Sequence, residues 1–333
     1  MAKKNQKGGG RQPLEHIAPR QGQVIKNTGS SYLVRLDDGE MADCRIKGNF
    51  RIKGIRTTNP VAVGDRVEIS LRDADTRYIT SILPRRNYII RRASNLSKES
   101  HILASNLDQA ILVVSVTDPV TPTTFIDRFL ATAEAYNVPA RLVINKADLW
   151  DEDMMEYARA LEYLYSSLGY PTLRVSANDG RGLDTLRDWT RDCISLMAGN
   201  SGVGKSSLIN RLAPDACLRI GAISDQHHTG MHTTTFSEMV DLPYGGQLID
   251  IPGVRGFGVI DFEPDEVSHF FPEIFRIGRQ CKYDNCRHTG EQGCAVIPAV
   301  EESLIAQSRY ASYLSILEEA METAASDKYR KAF

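Results

Sequence analysis

No run of the 333-residue chain approaches the roughly eighteen consecutive apolar residues that a membrane-crossing helix requires. No apolar signal region stands near its start either, and a reducing cytoplasm is the expected compartment. The chain also lacks a net charge of any size: 40 Lys and Arg face 42 Asp and Glu, a formal balance of −2. The balance is uneven along the chain. Residues 1–100 hold 20 Lys and Arg against 10 Asp and Glu, whereas the rest hold 20 against 32. A basic amino-terminal module on an otherwise acidic chain points to a polyanion partner, nucleic acid first, against the plainer reading of a solvated basic face.

This length has room for two or three domains, each with its own core. Residues 1–20 are basic, Gly-rich and unpatterned, and read as a flexible basic arm or a solubilising tail. Residues 21–85 read as short strands and turns. GQVIKNTGSSYLVRL is two β-rich runs around an Asn-Thr-Gly-Ser turn, and VGDRVEISL and YITSIL are further strands. With no helical period, this set predicts a small closed β-barrel of the OB type, for which an SH3-like barrel is the alternative. RIKGNFRIKGIR, Arg45 to Arg56, places five cations on one loop or strand edge, a composition suited to RNA.

Residues 86–262 open with a basic linker, within PRRNYIIRRASNLSKES, and then change rhythm. Apolar β-branched runs (QAILVVSV, ARLVINK, TLRVSA, CISLMAG) alternate with helical stretches such as TFIDRFLATAEAYN and EDMMEYARALEYLYSSLG. The alternation predicts a doubly wound α/β domain, a parallel sheet covered on both faces. Residues 263–333 turn helical and polar, hold a Cys/His cluster and end in a helix.

The central domain carries two signatures. GNSGVGKSS spans Gly199, Asn200, Ser201, Gly202, Val203, Gly204, Lys205, Ser206 and Ser207, between a strand and a helical run. This is the P-loop pattern: glycines let backbone N–H groups turn onto phosphates at a helix N-terminus, Lys205 reaches the β- and γ-phosphates, and the Ser206 hydroxyl binds Mg²⁺. NKAD, Asn145 to Asp148, follows the strand ARLVI. Asp148 there is placed to accept from the ring N–H and exocyclic amine of guanine, a donor pair that adenine lacks, with Asn145 bracing the loop and Lys146 lying along the base. The Ser176–Ala177 pair, at the end of TLRV, adds a backbone N–H for the guanine carbonyl.

Two further segments complete a nucleotide switch. QLIDIPG places Asp250 on Mg²⁺ through water and the Gly253 N–H on the γ-phosphate, and GMHTTTF offers a γ-phosphate-sensing, Mg²⁺-binding threonine, Thr234 the first choice of three. What is missing is a Gln after Gly253 to orient the attacking water, since Val254 stands there. His232 in the switch segment is the nearest substitute, with His227 and His228 open alternatives and simple loop packing the plain reading of His232. The elements occur in the order base, base, phosphate, switch, metal. A parallel sheet tolerates that order, provided each loop stays at the carboxyl end of its strand, so the domain is expected to be circularly permuted.

CKYDNCRHTGEQGC supplies Cys281, Cys286, His288 and Cys294 within fourteen residues, a set suited to one closed, structural Zn²⁺ site. A disulfide would leave one Cys over and need an oxidising compartment. Cys44, Cys193 and Cys217 are scattered and read as small, partly buried residues.

Taken together, the permuted order, GMHTTT, DIPGVRGFG, FPEI at Phe271–Ile274 and CKYDNCRH…C closely resemble the RsgA (YjeQ) family of small-subunit-dependent ribosome-biogenesis GTPases, from about Gly22 to the end. The resemblance implies an OB domain, a permuted GTPase domain and a zinc domain. It also implies binding to the small ribosomal subunit and its rRNA late in assembly, subunit-stimulated GTP hydrolysis, release following hydrolysis, and assistance to hydrolysis by the histidine matching His232. A monomer without membrane contact is expected. The residues themselves leave two other readings: a GTP-gated RNA-binding scaffold with incidental hydrolysis, and a GTPase acting on tRNA or another RNA.

Overall fold

Eleven strands form one continuous sheet that closes on itself at one end and stays open at the other. The computed structural model describes residues 19–46, 60–73, 76–92, 100–214, 237–251 and 262–331. Thr234, His232, His227, His228, Gly253, Val254, Cys217 and most of the basic segment 45–56 lie outside them, as do residues 1–18 of the arm.

The closed end of the sheet is a five-stranded barrel of β1 (Arg20–Asn27), β2 (Tyr32–Leu36), β3 (Met41–Ile46), β4 (Arg66–Asp73) and β5 (Thr76–Ile82). β3 and β5 pair in parallel, and every other barrel pairing is antiparallel. This ring, β1-β2-β3-β5-β4-β1, is the OB-like arrangement. Alternation builds its core: Tyr32, Val34 and Leu36 of β2 point inward with Ala42 and Cys44 of β3, while the intervening residues face out. The thiol of Cys44 is pushed up to about 11, chiefly by burial.

β6 (Tyr88–Arg92) and β7 (Ser100–Ser105) form an antiparallel hairpin where a linker was expected. Two cations of that linker stretch are paired with acidic residues. Arg85, 8% exposed, forks onto the fully buried Asp65 with two 2.6 Å bonds, and Arg86 reaches Asp108 at 2.7 Å and the Leu107 carbonyl.

The open part of the sheet follows as β8 (Gln109–Ser115), α1 (Thr123–Ala135), β9 (Ala140–Asn145), α2 (Glu152–Ser167), β10 (Thr172–Arg174), α3 (Leu183–Thr190), β11 (Ile194–Gly199) and α4 (Lys205–Leu212), then β12 (Glu238–Asp241) and β13 (Gln247–Asp250). β10, β9, β8, β11 and β13 are mutually parallel, and β12 is antiparallel. Every residue of β8 is buried, because both faces are covered. Ala110, Leu112 and Val114 pack with α1 and α2, while Ile111 and Val113 pack with α3 and α4. The chain moves outward from β8 to β10, then crosses back to place β11 on β8's other side. The crevice at the carboxyl ends of β8 and β11 is therefore the topological switch point, where doubly wound sheets bind ligands.

Three more helices, α5 (Pro272–Gly278), α6 (Val296–Glu301) and α7 (Gln307–Lys331), enclose a core of Val267, Phe271, Ile274, Val296, Tyr313 and Ile316 that also takes Ala131 from α1. Among the described residues, no helix is long and apolar enough to cross a membrane.

Candidate functional site

β11 delivers Gly199 to the switch point, and the loop to α4 turns on Gly202 (φ +85°) and Gly204 (φ +89°). The turn is tight from outside as well. A Cβ on Gly204 would lie 2.3 Å from Asn145 Nδ2, and one on Gly202 would lie 3.1 Å from Pro119 Cδ. Val203 is fully buried beneath the loop, while Ser201, Ser206 and Ser207 are exposed and Asn200 is half-buried. Lys205, 8% exposed, forms an ion pair with Asp250 at the end of β13. The cation at the foot of the loop thus rests on the carboxylate of the QLIDIPG segment.

Asn145, 1% exposed at the end of β9, joins the two signatures. Its Nδ2 donates to the Val203 carbonyl at 2.9 Å, and its Oδ1 accepts from the Ala177 N–H at 3.2 Å. Lys146 follows in the left-handed region at φ +71°, and its Nζ donates to the Asp118 carbonyl beyond β8. Asp148, half-buried, accepts from Ser176 Oγ at 2.6 Å and from Asn178 Nδ2 at 3.1 Å. The Ser176 bond first, with the Asn178 bond and Arg181 assisting, holds its carboxyl below the usual carboxylate range.

Asn145, Lys146, Asp148, Ala177, Gly204 and Ser207 line one open cleft together with Asn178, Asn210 and Arg211. The structure thus brings Asn145, Lys146, Asp148 and Ala177 to one cleft with Gly204 and Ser207 of the glycine-rich loop, whereas Ser176 and the rest of that loop do not line it. The N–H of Ala177 is here bonded to Asn145 rather than free in the cleft. Asn178 and Arg211 belong to the site but carry no motif. Their signal is spatial, a loop after β10 that meets the far end of α4.

A second constellation begins 70 residues beyond Arg211, at Cys281. The donor atoms of Cys281, Cys286, His288 and Cys294 all lie within 4.8 Å of one another, a group able to hold a metal ion. His288, 3% exposed, has φ +58°, and its ring packs where a Cβ on Gly278 would come within 3.0 Å. Around the cluster, the Ala295 N–H donates to Cys281 Sγ at 3.3 Å. The hydroxyls of Tyr310 and Tyr313, both on α7, donate to the carbonyls of His288 and Arg287 at 2.6 and 2.7 Å.

Comparison with known proteins agrees with this geometry. The chain is 56% identical to the small ribosomal subunit biogenesis GTPase RsgA of Bacteroides fragilis over 312 residues, covering 94% of this chain and 99% of that one. It is 59% identical to the protein of that name from Porphyromonas gingivalis over 304 residues, covering 90% and 96%. Among solved structures, YjeQ from Thermotoga maritima superposes with a TM-score of 0.70 at 35% identity, covering 91% of this chain and 99% of that one. YloQ, a circularly permuted GTPase, superposes with a TM-score of 0.68 at 29% identity, covering 94% and 99%. The family model RsgA N-terminal domain matches residues 21–79, across the barrel, and RsgA GTPase matches residues 82–260. On the permuted sheet, these two matches and relatives spanning nine-tenths of its length, the chain belongs to the RsgA GTPase family.

Proposed function

We propose that this chain is a GTPase that binds the small ribosomal subunit and its rRNA late in assembly and leaves after hydrolysis stimulated by that subunit. The carrying observation is Asn145. Its amide bonds to both the phosphate loop and the Ser176–Ala177 loop, so signatures in reversed chain order face one cleft.

Lys205 moves from Asp250 to the β- and γ-phosphates, and the amides from Gly199 to Ser207 cradle them. Ser206, Thr234 and Asp250 hold Mg²⁺, which neutralises charge on those phosphates. Asp148 accepts the two guanine donors, Lys146 lies along the base, and the Ser176–Ala177 pair offers a backbone N–H to the guanine carbonyl. Gly253 meets the γ-phosphate and His232 assists the attacking water in place of a Gln; these two and Thr234 rest on sequence motif alone.

The Cys/His group suits zinc. Tetrahedral ligands at about 2.3 Å for sulfur and about 2.0 Å for nitrogen stand ~3.6 Å apart. His288 Nδ1 lies 3.6 Å from both Cys281 Sγ and Cys294 Sγ. Cys286 completes four ligands, with no open position for chemistry, so the ion is structural. The domains are the arm 1–20, the RNA-binding barrel 21–85, the linker and GTPase domain 86–262 and the zinc domain 263–333, in a cytoplasmic monomer.

The test is GTP hydrolysis by the full chain alone, with purified small ribosomal subunits, and with large subunits. Small subunits alone should accelerate it; a partner that completes a site is worth roughly 10³–10⁵ in rate. Equal slow rates in all three would overturn the ribosomal part of the proposal.

A further inference from the structure

We propose that Arg211 sets guanine specificity from the phosphate side of the site. It is a positioning residue, carried on the phosphate-loop helix, that fixes the base-reading loop Ser176–Asn178 and thereby the Asp148 carboxylate. The inference rests on the assignment of Asp148 to guanine made above.

Arg211 is the last residue but one of α4, whose first residue is Lys205. Its guanidinium spans to the loop after β10. There Nε donates to the Ala177 carbonyl at 2.9 Å and Nη2 donates to the Asn178 carbonyl at 2.7 Å. Two consecutive carbonyls converging on one planar fork form a contact that a lysine ammonium, a point charge on a flexible stem, cannot reproduce. Ala177 is held on its other side too, because its N–H donates to Asn145 Oδ1. The backbone at Ala177 is thus pinned at the amide by β9 and at the carbonyl by α4.

Among the described residues, both side chains that hydrogen-bond to Asp148 belong to this pinned loop. Ser176 Oγ donates to Oδ1 while accepting the N–H groups of Asn178 and Asp179 at 3.2 and 3.1 Å. Asn178 Nδ2 donates to Oδ2. Releasing the two carbonyls lets the Ser176–Asn178 segment turn as a unit and takes the orientation of Asp148 with it. Arg211 therefore transmits the placement of α4, set by the phosphates, to the groups that read the base.

The test compares binding of guanosine diphosphate and inosine diphosphate, by calorimetry on the full chain, for the parent protein, Arg211→Ala and Arg211→Lys. Inosine lacks only the exocyclic amine that Asp148 accepts, so the affinity ratio reports the orientation of that carboxylate. The parent should prefer guanosine diphosphate. Arg211→Ala should weaken it about tenfold, as expected for lost hydrogen bonds to a charged donor, and drive the ratio toward one. Arg211→Lys, keeping the charge and one bond, should fall between. Equal weakening of both nucleotides, or no change in either, would overturn the positioning role. A parent protein that binds both equally would instead remove the guanine assignment of Asp148, and the inference with it. Should Arg211→Ala fail to fold by circular dichroism, Arg211→Lys decides by the same ratio.

Discussion

Both ends of the Asn145 amide are bonded in a position 1% exposed, so the residue cannot be removed cheaply. Asn145→Ala leaves the buried Val203 carbonyl without its side-chain donor and should cost about 1–3 kcal/mol in denaturant unfolding. It should also weaken guanosine diphosphate binding, because the two loops lose their common brace. Gly204→Ala offers an independent check. Its Cβ would fall on Asn145 Nδ2 and its φ is +89°, so it should reproduce both losses although it removes no hydrogen-bonding group. A Gly204→Ala protein with parental stability and affinity would show that the brace does not matter. Ser176 controls a different property. Its hydroxyl is the leading cause of the lowered Asp148 pKa. A carboxylate lowered in the folded state contributes above its unfolded pKa, and the contribution is lost as pH falls through the folded value. Ser176→Ala raises that folded value, so nucleotide binding should fail at higher pH than in the parent. Coincident binding curves across the acid range would count against this.

At the scale of elements, what could be read from the sequence was what repeats at short range. The period-2 alternation of YLVRL and the apolar run QAILVVS gave β2 and β8, and the strand–loop–helix around Gly199–Ser207 was legible for the same reason. Contacts between distant segments were not. The Lys205–Asp250 pair is separated by 45 residues and the Arg211 clamp by 34, so no local pattern encodes them. Of the basic excess in residues 1–100, only Lys26, Arg35 and Arg86 are paired with acidic residues beyond that segment, so most of it is not met by the described ion pairs. The Cys/His spacing was legible because four ligands within fourteen residues need only a local loop to converge. Between α5 and α6 that loop has no regular element of its own, so metal ligation is expected to hold it. Cys286→Ser should therefore remove about one equivalent of bound zinc by elemental analysis and lower the melting temperature. Guanosine diphosphate affinity should stay within about threefold, because the cluster and the nucleotide cleft share no lining residue. Parental zinc content in the variant would refute the four-ligand assignment.

For the molecule as a whole, both flanking modules are attached to elements that lead to the cleft. The barrel meets β12 through β1, where Lys26 pairs with Glu238 at 3.0 Å and Arg35 forks onto Asp241, and β12 lies beside the β13 strand that ends in Asp250. The metal-binding module meets α1, the helix that follows the Asp118–Pro119 loop against Gly202. That second attachment centres on Arg309 of α7, 1% exposed. It donates to Glu273 of α5 at 2.6 and 3.1 Å and to Asp127 of α1 at 2.9 Å, and stacks over Phe271. Asp127 also accepts from the Tyr165 hydroxyl of α2 at 2.8 Å, so one buried cluster ties α5 and α7 to α1 and α2. Removing one partner of such a cluster strands the others without compensation, at a cost of about 3–5 kcal/mol. Arg309→Met, which keeps the apolar volume over Phe271, should therefore separate the melting of α5–α7 from that of the nucleotide domain, giving an added low-temperature calorimetric transition. Hydrogen exchange should rise in α1 and α7 together. Adding Asp127→Asn should recover part of the loss, since one stranded charge is gone, and the shortfall from additivity measures the coupling across the interface. Unchanged calorimetry in Arg309→Met would mean that apolar packing around Ala131 and the Arg128–Glu319 pair hold the module in place, and that the buried ions at Arg309 contribute nothing to the joint.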